Sequence, residues 1–367
     1  MRVFLTSPWI PAEWVRAHGL ETRGIWFADS FRRDLPPLGA GVCAFAEDVV
    51  RFAEAQADAA VVFTTACDQL RRGFDETAFR GSSRVFLFNL PATQTPAAKQ
   101  IYRAELDRLG GFLRELGGAA PEPERLRREM SQTDEARHRL REAAPAATAR
   151  SLAEAVARFH EDGGLSAPAV AGRKCEIRDP KSERNPKPEV PPVEVAGDFT
   201  VSGPEPRNAG FEYRIAGIRA SDFESVPLAL VGGPLARADW ILFDGIEDAG
   251  GRVVLNATLS GERSLAPAFG DGADPFTLLA EGYFENIADV FRRPNSRLYA
   301  WLWPRLVSRR ARGIILWCFT GCDLWRAERQ SLREVLGLPV LLLEAGDAAG
   351  ISPRDANRLQ AFVETLK

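Results

Sequence analysis

The sequence predicts an α/β protein built from two doubly wound, Rossmann- or flavodoxin-like parallel-sheet lobes with a helical segment between them. Three observations carry this. Short apolar runs rich in β-formers alternate with amphipathic, charge-flanked runs, the pattern of strand–helix units and a parallel sheet. The alternation occurs in two blocks, divided by a purely helical stretch and then a polar, Pro-rich one. Both blocks also contain a strand-like run that ends in Cys-Asp and enters a helix: "AAVVFTTACDQLRR" in the first, "RGIILWCFTGCDLWRAE" in the second. At 367 residues the chain is longer than one hydrophobic core usually supports.

In order, "RVFLTSP" and "TRGIWFA" read as strands around a helix beginning near Pro11. "GAGVCAFAEDVVRFAEAQAD" reads as a turn and an amphipathic helix with Phe45, Val49, Phe52 and Ala53 on one side. "AAVVFTTACD" and "SRVFLFNLP" are strands flanking a helix, and the first lobe is expected to span residues 1–98. Residues 99–162 are helical and charge-rich, with a break at Gly117-Gly118. From 163 to 225 the chain dissolves into Pro, Gly and charge, as in "RDPKSERNPKPEVPPVEVAGD". Such a stretch cannot bury enough apolar surface for a core and is expected to be a linker or surface insertion. The second lobe, 226–367, reads as strand, Gly-Gly-Pro turn, helix and strand over "VPLALVGGPLARADWILFDGIEDAGGRVVLNATLSGERS". "RGIILWCF", a helix from about Leu324, "LPVLLLEAG" and a last helix over "SPRDANRLQAFVETL" complete it.

In sheets of this kind ligands collect beyond the carboxyl ends of the strands, where Cys67 and Cys322 would lie. Cys43 follows the turn "LGAG" and opens a helix, a third thiol of the same kind. A helix N-terminus favours the thiolate, and Asp68 and Asp323 are placed to cap the helices that follow. Three thiolates from separate loops could hold an iron-sulfur cluster with one iron open or a zinc ion with an open position. The chain has no C-x-x-C, and three buried cysteines acting as small hydrophobes fit the spacing as well.

Composition narrows the function classes. A formal net charge of -3 with basic and acidic residues interleaved gives no general attraction to nucleic acid or to an anionic membrane. No apolar run reaches the roughly 20 residues that span a bilayer, and "MRVFLTSPWIPAEW" lacks a cleavable signal pattern, so a cytoplasmic location is expected. Five scattered cysteines do not make a secreted disulfide framework.

With Cys43, "TTACDQLRR" and "GCDLWRAE" in this order, the chain resembles the iron-sulfur subunits of the 2-hydroxyacyl-CoA dehydratase and benzoyl-CoA reductase family. "TSPWIPAEWVRAHGLE", "NLPATQTPAAKQIYRAELDRLGGFLRELGG", "LALVGGPLARADWILFDGIEDAGGRVVLNATLSGERS" and "LGLPVLLLEAGD" followed by "NRLQAFVE" are also similar to family segments. The resemblance covers most of the chain outside residues 165–225. It implies that Cys43, Cys67 and Cys322 ligate a [4Fe-4S] cluster with one iron left open as a Lewis acid. Cys318 has no family counterpart and Cys175 lies in the polar insertion. Two cubanes would need six thiolates, one more than the chain has.

The resemblance further implies a 2-hydroxyacyl-CoA dehydratase-type activity. A single low-potential electron from an ATP-hydrolysing activator reduces an acyl-CoA thioester to a ketyl radical, from which the hydroxyl leaves. A homologous second subunit, or a second copy of this chain, is the implied partner. A benzoyl-CoA-type reductase or another ATP-driven reductase, and a non-catalytic cluster-bearing partner subunit, are the alternatives. The chain carries no G-x-x-x-x-G-K-[ST] phosphate loop of its own. Arg263 in "SGERS" matches a family Gly-x-Arg and is a candidate either to bind a carboxylate or a CoA phosphate or to form a surface ion pair. Ser7 is a candidate to face the cluster or a turn cap, and Gly232-Gly233 either admits a phosphate or forms a plain turn. His18, His138 and His160 are read as lying in helical, charged surroundings, and no general base is assigned.

Overall fold

In the computed structural model the structure describes residues 1–26, 42–56, 58–81, 84–170, 225–270, 272, 274–345 and 351–367. The expected insertion at 163–225 therefore lies largely outside the described residues, as does Cys175. Met1–Arg173 and Glu224–Lys367 form one compact unit, so both lobes and the helices between them share a packed body.

The first sheet consists of β1 (Arg2–Leu5), β2 (Glu21–Gly24), β3 (Ala59–Thr64) and β4 (Arg84–Phe88). They are all parallel, in the order β2-β1-β3-β4. Helix α1 (Ala12–Ala17) connects β1 to β2, α2 (Ala44–Glu54) precedes β3, and α3 (Asp68–Arg80) crosses from β3 to β4. The helical segment follows as α4 (Pro96–Glu115), α5 (Pro123–Ala143) and α6 (Ala149–Glu161). Thr95 and Thr148 cap α4 and α6 through their side chains. These helices pack against elements of both lobes, since α6 meets both β2 and β6 (Gly251–Ala257) of the second sheet, while α4 and α5 meet α8 (Pro275–Asn286).

The second sheet repeats the first. β5 (Val226–Gly232), β6 (Gly251–Ala257), β7 (Gly313–Phe319) and β8 (Val340–Ala345) are parallel in the order β6-β5-β7-β8. α7 (Ile241–Asp248), α8 (Pro275–Asn286), α9 (Ser296–Ser308), α10 (Asp323–Leu336) and α11 (Pro353–Thr365) complete the lobe. In each sheet the first and third strands of the lobe are central, so the strand order reverses between them; crevices at such switch points are the ligand sites of open α/β sheets. The central strands β3, β5 and β7 are buried along their whole length, which explains their unbroken apolar sequence.

Helices α8 and α9 are not anticipated by the sequence reading, which leaves the residues before Gly313 unassigned. Pro304 inside α9 contradicts a simple helical pattern. The second-lobe helix expected after the Gly-Gly-Pro turn is present as a single 3-10 turn (Arg237–Asp239) followed by α7.

Candidate metal centre

The chain leaves β3 at Thr64 and turns through Thr65, whose hydroxyl accepts from Leu90 N at 2.9 Å. Cys67 then adopts extended backbone as the N-cap of α3, and its Sγ accepts from Leu70 N at 3.4 Å. Cys43 is the N-cap of α2, and its own N–H donates to Gln69 Oε1 at 2.7 Å. Gln69 stands in the first turn of α3, so one side chain ties the Cys43 turn to the Cys67 turn. In the second lobe Gly321 takes φ +86, a conformation that favours glycine, and Cys322 follows as the N-cap of α10. A Cβ added at Gly321 would lie 3.9 Å from the Cys43 Cβ, which puts the Cys322 turn against the first lobe. Phe45 and Phe319 stack across the same junction, centroids 5.8 Å apart.

All three cysteines are thus helix N-caps, and the three turns meet in one neighbourhood. Asp68 and Asp323, expected as the caps, are instead the first residues of α3 and α10. There their charge complements the helix dipole, while the cap position belongs to the thiol. Burial pushes the Cys43 thiol up to about 11 and the Cys67 thiol to about 12, and raises Cys322. Backbone N–H groups at Ala46, Leu70 and Trp325 pull the other way but do not win. The expectation that the helix ends alone favour thiolates is therefore corrected: without a positive partner, desolvation holds these thiols protonated at neutral pH. Cys43 and Cys67 also repel each other as like charges, and both feel Cys322. Three such thiols in one place need a cation to ionise, which is what a thiolate-ligated metal centre supplies.

Among the described residues no group of three His, Cys, Asp or Glu side chains closes around a single metal ion. Three soft thiols are a donor set that either an iron-sulfur cluster or a thiolate-ligated zinc ion would use. Cys318 lies inside β7, 1 % exposed, and burial lifts it to about 12; it packs in the core beside Leu316 and Leu342.

The secondary candidates take structural places. Arg263 is buried, and its guanidinium donates to Ala257 O at 3.0 Å, Ala288 O at 2.9 Å and Gly232 O at 2.6 Å. It is also paired with Asp289 and lies over the Trp325 ring. Here the guanidinium ties together loops at the strand ends. Gly232 has φ +146, and a Cβ there would fall 1.8 Å from Trp317 O. The glycine thus serves close packing of β5 on β7, and no helix begins at it. Ser7 Oγ accepts from Trp9 N at 3.4 Å, the turn-capping role.

His18 and His160 correct their expected surroundings. His18 Nδ1 lies 2.8 Å from Trp14 O with its ring edge-on to the Trp14 indole, and burial lowers its pKa. His160 packs on Trp26 and Phe159 with Nε2 3.0 Å from Ser264 Oγ, and burial lowers it to about 3. His138 is exposed beside Glu142. The sequence reading also misses a buried network joining α1, α5 and α8. Arg137 pairs with Glu13 at 2.9 Å, and Tyr283 donates to Glu13 at 2.7 Å. Arg137 and Tyr283 border a small cavity of ≈ 20 Å³ beyond the ends of β1 and β2, room for a water.

A family model described as 2-hydroxyglutaryl-CoA dehydratase, D-component, matches residues 10–157 and 209–366. The match takes in all three cysteine turns and leaves out residues 158–208, most of the polar stretch between the lobes. No curated protein matches the chain significantly.

Proposed function

From the premise that the chain belongs to the 2-hydroxyglutaryl-CoA dehydratase D-component family, we propose that it is the cluster-bearing component of an enzyme that removes water from a 2-hydroxyacyl-CoA thioester. The observation that carries the reading is the meeting of three helix-capping thiols, Cys43, Cys67 and Cys322, from both lobes. On this reading they hold a [4Fe-4S] cluster, which supplies one-electron chemistry and an open Lewis-acid position.

The chain's own groups account for the rest of the setting. The amino ends of α2, α3 and α10 converge on the thiols, so their partial positive charge offsets the negative charge that thiolate ligation brings. Gln69 fixes the Cys43 turn at 2.7 Å, and the Phe45–Phe319 stack excludes water beneath the turns. Burial of the sulfurs lowers the local dielectric, which strengthens each of these interactions. The electron comes from an ATP-hydrolysing activator, and a second component of the enzyme, homologous or a second copy, completes the assembly.

The test is an anaerobic assay of 2-hydroxyacyl-CoA and aromatic acyl-CoA panels, with and without activator, ATP and a strong reductant. The reading expects loss of hydroxyl from a 2-hydroxyacyl thioester only with activator and ATP. Turnover by the isolated chain without ATP would defeat it. Gain of two hydrogens by an aromatic thioester would reassign the chain to reductive chemistry.

A further inference from the structure

Trp303, Val307 and Val335 are large apolar side chains that stand out at the surface, 48 %, 56 % and 58 % exposed. Phe79, Ile101 and Ile241 are exposed too, but each stands alone on its helix, which is normal for a folded protein. The first three belong together. Helix α9 ends just before β7 and α10 begins just after it, so the two helices run in the same direction, and they pack side by side. Tyr299 donates to Glu328, which fixes their register. Val307 lies two turns beyond Tyr299 and Val335 two turns beyond Glu328, so the two valines stand at one level, with Trp303 a turn before them.

Each helix turns an exposed stripe outward at a spacing of three and four residues. On α9 the stripe is Ser296, Ala300, Trp303 and Val307, with Arg297 and Arg310 exposed beside its two ends. Residues 290–322 hold seven arginines and no Asp or Glu, so the rim of this stripe is cationic. On α10 the stripe is Asp323, Ala327, Gln330 and Glu334, with a carboxylate at each end and uncharged side chains between. The arginines of α10 fall on its far side, toward Pro339 and Phe362. One stripe therefore presents a projecting indole between cations, and the other an uncharged floor between anions.

Such a surface is complementary to itself. A two-fold axis along the helices lays the α9 stripe of one copy on the α10 stripe of the other, so that Trp303 meets the uncharged floor while Arg297 and Arg310 meet Asp323 and Glu334. Pairing α9 on α9 would instead set arginine against arginine, which like charges disfavour. Two-fold, self-complementary contacts are the commonest in oligomers, and tryptophan and arginine are the usual anchors of a protein interface.

We propose that the outer face of α9 and α10 is the surface through which two copies of this chain form a two-fold dimer. The inference uses none of the thiols and stands whether or not the thioester reading does. It is tested by sedimentation equilibrium on the whole chain, purified anaerobically, over a wide range of concentration and at two salt concentrations. A monomer–dimer equilibrium is expected, weaker at high salt. Trp303→Ser, a change at an exposed position, is expected to keep the melting temperature and to weaken the dimer about thirtyfold or more, the loss of a central anchor. Arg310→Glu and Glu334→Arg are each expected to weaken it and, combined in one chain, to restore it, because each new charge then meets its opposite on the second copy. A monomer at every concentration overturns the proposal, and Trp303-dependent binding of that monomer to phosphatidylglycerol vesicles would assign the face to a membrane instead. A dimer unmoved by Trp303→Ser overturns this surface. A dimer that Trp303→Ser weakens but the charge exchange does not restore overturns the pairing of α9 on α10. In each case the anaerobic turnover assay decides the thioester reading separately.

Discussion

The backbone N–H of Cys43 is held at 2.7 Å by the side-chain oxygen of Gln69, a residue 26 positions away in the first turn of the helix that Cys67 caps. Through this one bond the two first-lobe thiols keep a fixed relation although their turns belong to different helices. Gln69→Ala is expected to cost about 1 kcal/mol of stability and to make bound iron more labile to a chelator. Gln69→Glu, which keeps an acceptor oxygen, should retain most of the iron. Equal iron loss rates in wild type and Gln69→Ala would show that the bond does not position the site.

Anaerobically purified protein is expected to be brown and to hold about four irons per chain. Cys43→Ser, Cys67→Ser and Cys322→Ser should each lose most of that iron, while Cys318→Ser should keep it. The serine at 318 would bury a hydroxyl in the core of β7 and cost about 1–3 kcal/mol, visible as a lower melting temperature without bleaching. A colourless protein with one zinc after strictly anaerobic, iron-replete expression would remove the cluster reading. Iron loss in Cys318→Ser with retention in Cys322→Ser would exchange the roles of the two second-lobe cysteines.

Stability should fall on mild acidification. His160 is lowered to about 3 and His18 is also lowered, in both cases by burial, against about 6.5 in the unfolded chain. Below pH 6.5 the unfolded state binds protons that the folded state refuses, so each ring contributes stability that is complete above pH 6.5 and is lost as the pH falls toward the folded value. The slope approaches 1.36 kcal/mol per pH unit for one such group. His160→Gln should narrow the gap in melting temperature between pH 7 and pH 5, and an unchanged gap would contradict a neutral, buried His160.

Arg263→Ala is expected to be a folding lesion. It leaves Asp289 and the carbonyls of Gly232, Ala257 and Ala288 without their donor, and breaking a buried pair of this kind costs about 3–5 kcal/mol. The check is chemical denaturation of the iron-free protein, where no substrate effect can enter. A variant as stable as the wild type, with only its substrate affinity reduced, would restore Arg263 to the binding role that the sequence suggested.

The lobes and their strands were legible because β3, β5 and β7 are unbroken apolar runs bounded by turns, and the three thiols because each stands where such a run or a glycine turn gives way to a helix. Gln69 was not legible, since its partner is a backbone group of a distant turn. The contacts of Arg263 were not legible for a related reason: "SGERS" shows a basic residue after a strand, but the carbonyls that accept from it come from Gly232 and Ala288. His18 was within reach of the sequence. It lies four residues after Trp14, and the two rings touch on the inward face of α1, so the helical period outranks the charged neighbours. Helices α8 and α9 were hidden by a proline and by weak amphipathy, and they hold their shape through packing against the rest of the fold.

Cys67 and Cys322 end the corresponding strands of two like sheets, β3 and β7, and they are separated by roughly 250 residues of chain, a loop whose closure is costly in entropy. On the proposed reading a cluster that joins them would act as a cross-link between the two halves of the molecule. It could assemble only after both halves have folded and met, and would stabilise by binding the folded state alone. Iron loading would then double as a checkpoint of completed folding, and its loss by oxidation would loosen the junction between the lobes together with the chemistry.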